Sequence, residues 1–384
     1  MARAAASVKS YVRWEYVASS RPTDDTPRQK KHASQLPTEG FRLSGAARMP
    51  ASETKPVKLQ AVLACLGWIA LSGSACVLDA RDGRAEATFS RTLTVAASVD
   101  LDVRTGSGDI QIRGGPTGTV TVQGRVRESW VCWSGLRGDE QVRRVAADPP
   151  VEQSGNVIRL GDFRQLWARS CVSVSFDVTA PPDAGVRARS GSGRQIVTGI
   201  RGPVDVHAGS GDVRIGSTVG DVRAVTGSGD IEVEDGRGSV FARAGSGSIN
   251  VTGVEGDVEV HTGSGRVSVN QTTKGRTEIT TGSGGIAVAD ARGSLRLRAA
   301  SGSVAVDGEP AGSWRIGTAS GNVTVRVPAS AAFDLDARTA SGSIDSAHPM
   351  TVLRNHFRRQ LHGQVRGGGP SVDVSTASGS IRIQ

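Results

Sequence analysis

Fifteen glycines recur down the middle of the chain at a nearly fixed step of nine residues, from Gly193, Gly202 and Gly211 through Gly229, Gly247 and Gly265 to Gly302, Gly312 and Gly321. Only two steps, Gly265 to Gly275 and Gly302 to Gly312, stretch to ten. Self-similarity at a fixed period marks a stacked, repetitive backbone. Such a chain builds an extended scaffold with many similar surfaces and no obvious catalytic centre.

Each nine-residue unit reads as a turn followed by a short strand. In Gly229-Asp230-Ile231-Glu232-Val233-Glu234, apolar and polar residues alternate at period two, the pattern of a strand with one buried face. The inward set includes Val213 and Ile215, Ile231 and Val233, Ile249 and Val251, Val267 and Val269, Ile286 and Val288, and Val304 and Val306. Alternate units supply Val204 and Val206, Val222 and Ala224, Val258 and Val260, and Leu295 and Leu297. Glycines between the strands supply the positive φ that tight corners need.

Odd and even units differ, so the true repeat is eighteen residues. Odd units carry a Gly-Ser-Gly corner at Ser192, Ser210, Ser228, Ser246, Ser264 and Ser283, with Ser301 in the equivalent place. Even units are looser, as in Thr218-Val219-Gly220. Two strands and two corners per repeat predict an all-β fold, a single-stranded parallel β-solenoid of about ten coils. At roughly 4.8 Å per coil, the stack would be on the order of 50 Å long. A sandwich of hairpins is the alternative, but hairpins demand no fixed step.

The run Val178-Thr179-Ala180-Pro181-Pro182-Asp183, the following Val186-Arg187-Ala188-Arg189-Ser190-Gly191-Ser192-Gly193 and later repeats such as Thr226-Gly227-Ser228-Gly229-Asp230-Ile231 carry a family resemblance. Together they resemble the bacterial putative-adhesin family, a domain of unknown function numbered 4097, over about Ala87 to Gln384. The resemblance implies a parallel β-helix and export, often as a lipoprotein or beside envelope-stress genes. It brings no catalytic residues with it.

The leader is a separate matter. Residues 1–48 are polar and basic, with no core-forming period, and are read as a disordered or mis-annotated extension. Residues 49–75 hold Lys55 and Lys58, an apolar run from Leu59 to Leu71, and the small residues Ser72-Gly73-Ser74-Ala75. That order predicts a secretory signal peptide, with Met49 as the true start. Cys76 then sits where a lipoprotein is cleaved and acylated, although Gly73 replaces the usual leucine; lipidation and simple cleavage after Ala75 both stay open. The expected divisions continue with a linker at 76–86, an N-terminal β region and cap at 87–188, and repeats at 189–384.

Charge weighs against nucleic acid. The formal net charge is +9, but residues 1–48 contribute +5 and residues 49–75 contribute +1, which leaves +3 for residues 76–384. A nearly balanced mature surface lacks the basic footprint that phosphate binding needs.

Four further sets of residues invite a role. Cys132 and Cys171 flank an insertion, and an oxidising compartment predicts a disulfide between them, with two buried thiols as the alternative. Trp130 and Trp133 lie in the same stretch, read first as a cap over the solenoid's open edge and second as a ligand platform. A basic insertion at 348–369, with Arg354, Arg358 and Arg359, would suit an anionic glycan, a lipid headgroup or a teichoic-type polymer if it is more than a solvated protrusion. The final strand, Ile381 to Ile383, is expected to form the open edge beneath that protrusion.

Asp109, Asp212, Asp221, Asp230 and Asp257 each follow a corner glycine. Calcium-binding β-rolls place the carboxylate two residues after glycine in every unit, whereas Arg194, Arg266 and Arg276 take the equivalent places here. Capping of turn backbone is the better expectation, and no metal or cofactor is expected. His207 and His261 share a column three coils apart, roughly 14 Å, too far for joint ligation. Across coils, Asp205 is expected beside Arg223 and Arg214 beside Glu232.

The residues thus predict an exported envelope solenoid, an adhesin or a binding and structural scaffold without catalysis. Its partner would be a glycan, a cell-surface polymer or an envelope protein. Two rivals remain: a polysaccharide-active β-helix enzyme, which needs clustered carboxylates, and an accessory of an envelope-stress sensor.

Overall fold

The computed structural model describes residues 78–79, 85–95, 98–129, 138–161, 172–271, 274–356 and 359–384. All of these fall in one compact unit, Trp68–Gln384. The expectations for the leader, for Cys76, Cys132 and Cys171, and for Trp130, Trp133 and Arg358 lie outside the described residues, as does the side chain of Arg354.

The fold is an all-β parallel solenoid. Among the described residues there are two sheets of fifteen strands each. In each sheet four strands belong to the ends, and the other eleven are the coil strands. One coil contributes a strand to each sheet, as Val222–Ser228 and Ile231–Gly236 show. The next coil repeats both, and Val222 pairs with Val240 while Ile231 pairs with Ile249. The eighteen-residue offset therefore appears directly as ladder register.

Period-two alternation decides which face is buried. Every inward Val, Ile and Leu named above is at most 3% exposed, and both sheets feed a single hydrophobic cluster. Burying one such side chain stabilises by about 1.5–3 kcal/mol, and the pattern recurs in each coil. Trp314 occupies the same inward column as Val222 and Leu295, and its Nε1 donates to the Gly293 carbonyl at 2.9 Å. The two ten-residue steps are the long coils, in which Val258 pairs with Thr277 and Leu295 with Trp314.

The glycines serve two different ends. Gly247, last in its Gly-Ser-Gly corner, has φ +136°, and a Cβ there would lie 2.0 Å from the Gly229 carbonyl oxygen of the coil before. Gly238, on the even step, has no positive φ, yet its Cβ would lie 2.6 Å from the Gly220 backbone. The expectation that all these glycines serve positive φ is thus corrected, because the even ones are kept small by coil-on-coil approach. At the even corners the left-handed position falls three residues earlier, on Ser217 and Asp235. Short polar side chains tolerate that conformation.

Both ends of the stack are built from chain that leaves the repeat. The first coil comes from Asp100–Ser107 and Ile110–Gly114, well before the regular run, and Leu101 pairs directly with Val186. Strands Glu86–Thr94, before that coil, and Thr119–Glu128 and Val172–Ala180, after it, pair antiparallel in series and extend the first sheet. A helix, Gly138–Ala147, buries Val142, Val145 and Ala146 against this end. Phe89 and Phe176 meet edge to face inside it, with centroids 6.4 Å apart.

At the other end the spatial order departs from the chain order. Ser371–Ser378 sits between Trp314–Ser320 and Phe333–Ser341, parallel to both. Likewise Ile381–Ile383 lies between Val323–Arg326 and Ile344–Ser346. The C-terminal strand is therefore interior, not the open edge expected from its position in the sequence. The chain skips a slot and returns to fill it. The basic insertion forms a hairpin, Met350–His356 with Gln360–Val365, that runs antiparallel along Phe333–Ser341 and closes that edge of the second sheet. Covered or short edges prevent stacking between molecules.

Candidate functional site

The outward residues form columns at the same spacing as the core. On the second sheet one column reads Asp205, Arg223, Phe241, Glu259 and Glu278 in successive coils. The corner residues Asp221, Ser239, Asp257 and Arg276 stand alongside. Together they line a groove of about 780 Å³ that continues to Asp102 and Arg187, within the usual range for ligand sites. The groove crosses coils rather than sitting in one of them, and only a register-locked stack assembles it.

Phe241 is the unusual member. Of the described Phe and Trp side chains, Phe89, Phe176, Phe333 and Trp314 are at most 2% exposed, whereas Phe241 is half-buried and faces outward. The Arg223 guanidinium lies over its ring at 4.4 Å from the centroid. The His261 imidazole lies 5.8 Å away at 49°. A guanidinium on an aromatic face is worth about 0.5–1 kcal/mol at an exposed site. No sequence motif marks Phe241. Its parity does, since Val240 and Ala242 are inward and an aromatic between them must point out.

The charges around Phe241 pair locally. His207 Nε2 meets Asp205 Oδ1 at 2.9 Å, and His261 Nε2 meets Glu259 Oε1 at 2.8 Å. Arg223 reaches Asp205 at 4.0 Å, as the column argument expects. On the other sheet Arg214 meets Glu232 at 2.5 Å, beside a smaller groove of about 340 Å³ that contains no aromatic. Exposed pairs of this kind contribute little stability each. His207 and His261 thus each have their own carboxylate. Among the described residues no group of three or more His, Cys, Asp or Glu could hold a metal ion.

The corner aspartates do cap backbone, but in the neighbouring coil. Asp212 accepts from the Asp230 N–H at 3.1 Å, Asp230 from the Ser248 N–H at 2.7 Å, and Asp221 from the Ser239 N–H at 2.9 Å. Asp109 and Asp257 do the same for Arg194 and Arg276, and Asn322 does so for Ser380. These carboxylates bind coil to coil, and two of them, Asp221 and Asp257, also edge the groove.

Of the other candidates, only Arg354 and Arg359 fall among the described residues. Arg354 lies on the closing hairpin, where it pairs with His362. Arg359 is exposed near the tip of that hairpin, and its carbonyl accepts from the Thr339 N–H at 2.9 Å.

Residues 216–384 match the model of the Toastrack DUF4097 family. Over that stretch the chain is similar to that family. The Toastrack segment carries the groove's central and C-terminal wall, including Arg223, Phe241 and Glu259, while Asp205 and the coils before it lie upstream of the match. No curated protein matches the chain significantly. Solved structures similar to it include a putative cell adhesion protein from Clostridium sporogenes, 10% identical, with a TM-score of 0.15 over 77% of this chain and 98% of that one. A putative lipid binding protein from Parabacteroides distasonis is 12% identical, with a TM-score of 0.33 over 77% and 96%. A putative adhesin from Bacteroides fragilis is 13% identical, with a TM-score of 0.24 over 77% and 97%.

Proposed function

We propose that this chain is an exported, non-catalytic scaffold of the cell envelope that holds an extended partner along the outer face of its second sheet. The groove that crosses the coils carries this reading. A surface repeated at one coil rise suits a long glycan, a cell-surface polymer or an extended protein segment, because weak contacts recur in register. The groove's charged groups also support it, since Asp205 engages His207, and Asp257 engages Arg276. Side chains held this way present a fixed polar surface to a partner.

Export is supported by the pattern of Met49–Ala75, and a lipid on Cys76 would hold the scaffold at the membrane. Mass spectrometry of the protein recovered from membrane and soluble fractions tests this. The proposal expects a mature chain beginning at Cys76, acylated in the membrane fraction or unmodified in the soluble one. Recovery of intact residues 1–75 in the cytosol would contradict it.

A further inference from the structure

We infer that the groove on the second sheet binds a linear polysaccharide of amine-bearing sugars, with Phe241 as the platform for the sugar that carries the bound ammonium. This deepens the proposed function and rests on it. The argument has three independent parts.

The first is the platform. Phe241 is the one Phe or Trp among the described residues that is not buried, and it stands at the middle of the groove. A large aromatic in an outward column otherwise filled by charged side chains has no packing role in the core. Aromatic faces bind the apolar face of a pyranose ring and also attract cations.

The second is the cation already in place. Arg223 lays its guanidinium on the Phe241 ring while remaining 55% exposed, and its ion pair to Asp205 is long at 4.0 Å. A ligand ammonium can take that position at small cost by swinging Arg223 into water. Asp205 and Glu259 flank the site in the coils on either side. Around the whole groove carboxylates outnumber guanidinium groups seven to four, so a cationic chain is attracted along its length and an anionic one repelled.

The third is the period. Equivalent positions along the groove repeat at roughly 4.8 Å, the coil rise. An extended peptide repeats its side chains on one face at about 6.8 Å, twice its rise per residue, and slips out of register within a few coils. A β-linked pyranose advances by a length close to one coil per sugar, with alternate rings turned over, so its like faces recur at close to two coils. Seven coil strands, from that of Asp102 to that of Glu278, face the groove, which gives a path of roughly 30 Å.

Isothermal titration of the intact mature chain with glucosamine oligomers of increasing length tests this. N-acetylglucosamine oligomers, oligogalacturonate and oligolysine serve as comparison probes. Glucosamine oligomers should bind, more tightly with length up to the groove's span, and more weakly as salt is raised. Phe241→Ala should weaken them on the order of tenfold, as loss of a cation–π and stacking contact would. Asn250→Ala, on the opposite sheet, should leave binding unchanged. Thermal melting of Phe241→Ala at the wild-type midpoint excludes a folding defect. Tighter binding of the acetylated or uronate oligomers, still lost in Phe241→Ala, would overturn the ligand class and leave the groove reading standing. Equal binding of oligolysine would show charge attraction without sugar recognition and overturn the inference. Binding of no probe, in wild type or variant, would overturn the inference and leave the proposed function to the envelope co-sedimentation test.

Discussion

Three glycines separate the forces that make this repeat. A Cβ at Gly247 would lie 2.0 Å from the Gly229 carbonyl oxygen and 2.7 Å from its carbon, and the backbone there holds φ +136°. Alanine must therefore absorb a disfavoured conformation, about 1–3 kcal/mol, and a backbone overlap that no side chain can relieve, about 1–3 kcal/mol more. Gly247→Ala should cost about 2–6 kcal/mol by these terms. Gly238→Ala meets the Gly220 backbone at 2.6 Å without positive φ, so only the overlap of about 1–3 kcal/mol applies. At Gly216, in the middle of a strand, the nearest atoms to an added Cβ are 3.8 Å away. Gly216→Ala should stabilise by about 0.4–1 kcal/mol, because it only restricts the unfolded chain. A stacked array does not unfold in two states, so local hydrogen exchange in the strands beside each site is the proper assay. If Gly247→Ala and Gly216→Ala fall within about 0.5 kcal/mol of each other, below the resolution of this argument, close coil approach is not what keeps these positions glycine.

Other consequences follow from single contacts. Asp230→Ala removes the acceptor of the Ser248 N–H and should destabilise by about 0.5–1.5 kcal/mol. Asp230→Asn should keep most of that, since Asn322 performs the same role for Ser380; exchange at the Ser248 amide reads both. Trp314→Phe leaves the buried Gly293 carbonyl without its donor and should cost about 1–3 kcal/mol in the local hydrogen exchange of Leu295–Ser301 and Trp314–Ser320. Val374→Asp places a charge between Ile316 and Ala337. It should strip hydrogen-exchange protection from both flanking strands, although they lie far from residue 374 in sequence; loss on one side only would refute the inserted-strand topology.

Much of the fold was legible because the solenoid is written in local sequence. The same apolar alternation marks coil after coil of the regular run: Ile231 and Val233, Val267 and Val269, and Leu295 and Leu297 are all buried where period two placed them. Asp205 beside Arg223 and Arg214 beside Glu232 followed from the eighteen-residue offset alone. What the repeat could not reveal is any pairing that breaks it. The insertion of Ser371–Ser378 ahead of Phe333–Ser341 is long-range, and both strands carry the same alternation, so neither order is favoured locally. The helix Gly138–Ala147 was missed for a related reason: only Val142, Val145 and Ala146 mark its buried face, too few to stand out between irregular stretches.

The site was less legible than the fold. Attention to tryptophans and to basic runs led to Trp130, Trp133 and the 348–369 insertion, while the groove is centred on a single phenylalanine whose only mark is its phase. Reading the outward columns as well as the inward ones would have found Phe241. The histidines were correctly separated, yet each turned out to border the groove through its own carboxylate partner, Asp205 for His207 and Glu259 for His261.

The central claim is that the groove face of the second sheet is the binding surface. Co-sedimentation of the purified mature chain with isolated cell-envelope material, compared among wild type, Phe241→Ala and Asn250→Ala, tests it most directly. The account predicts that wild type and Asn250→Ala sediment alike while Phe241→Ala stays in solution. Equal sedimentation of all three folded proteins, or loss in Asn250→Ala alone, would contradict it.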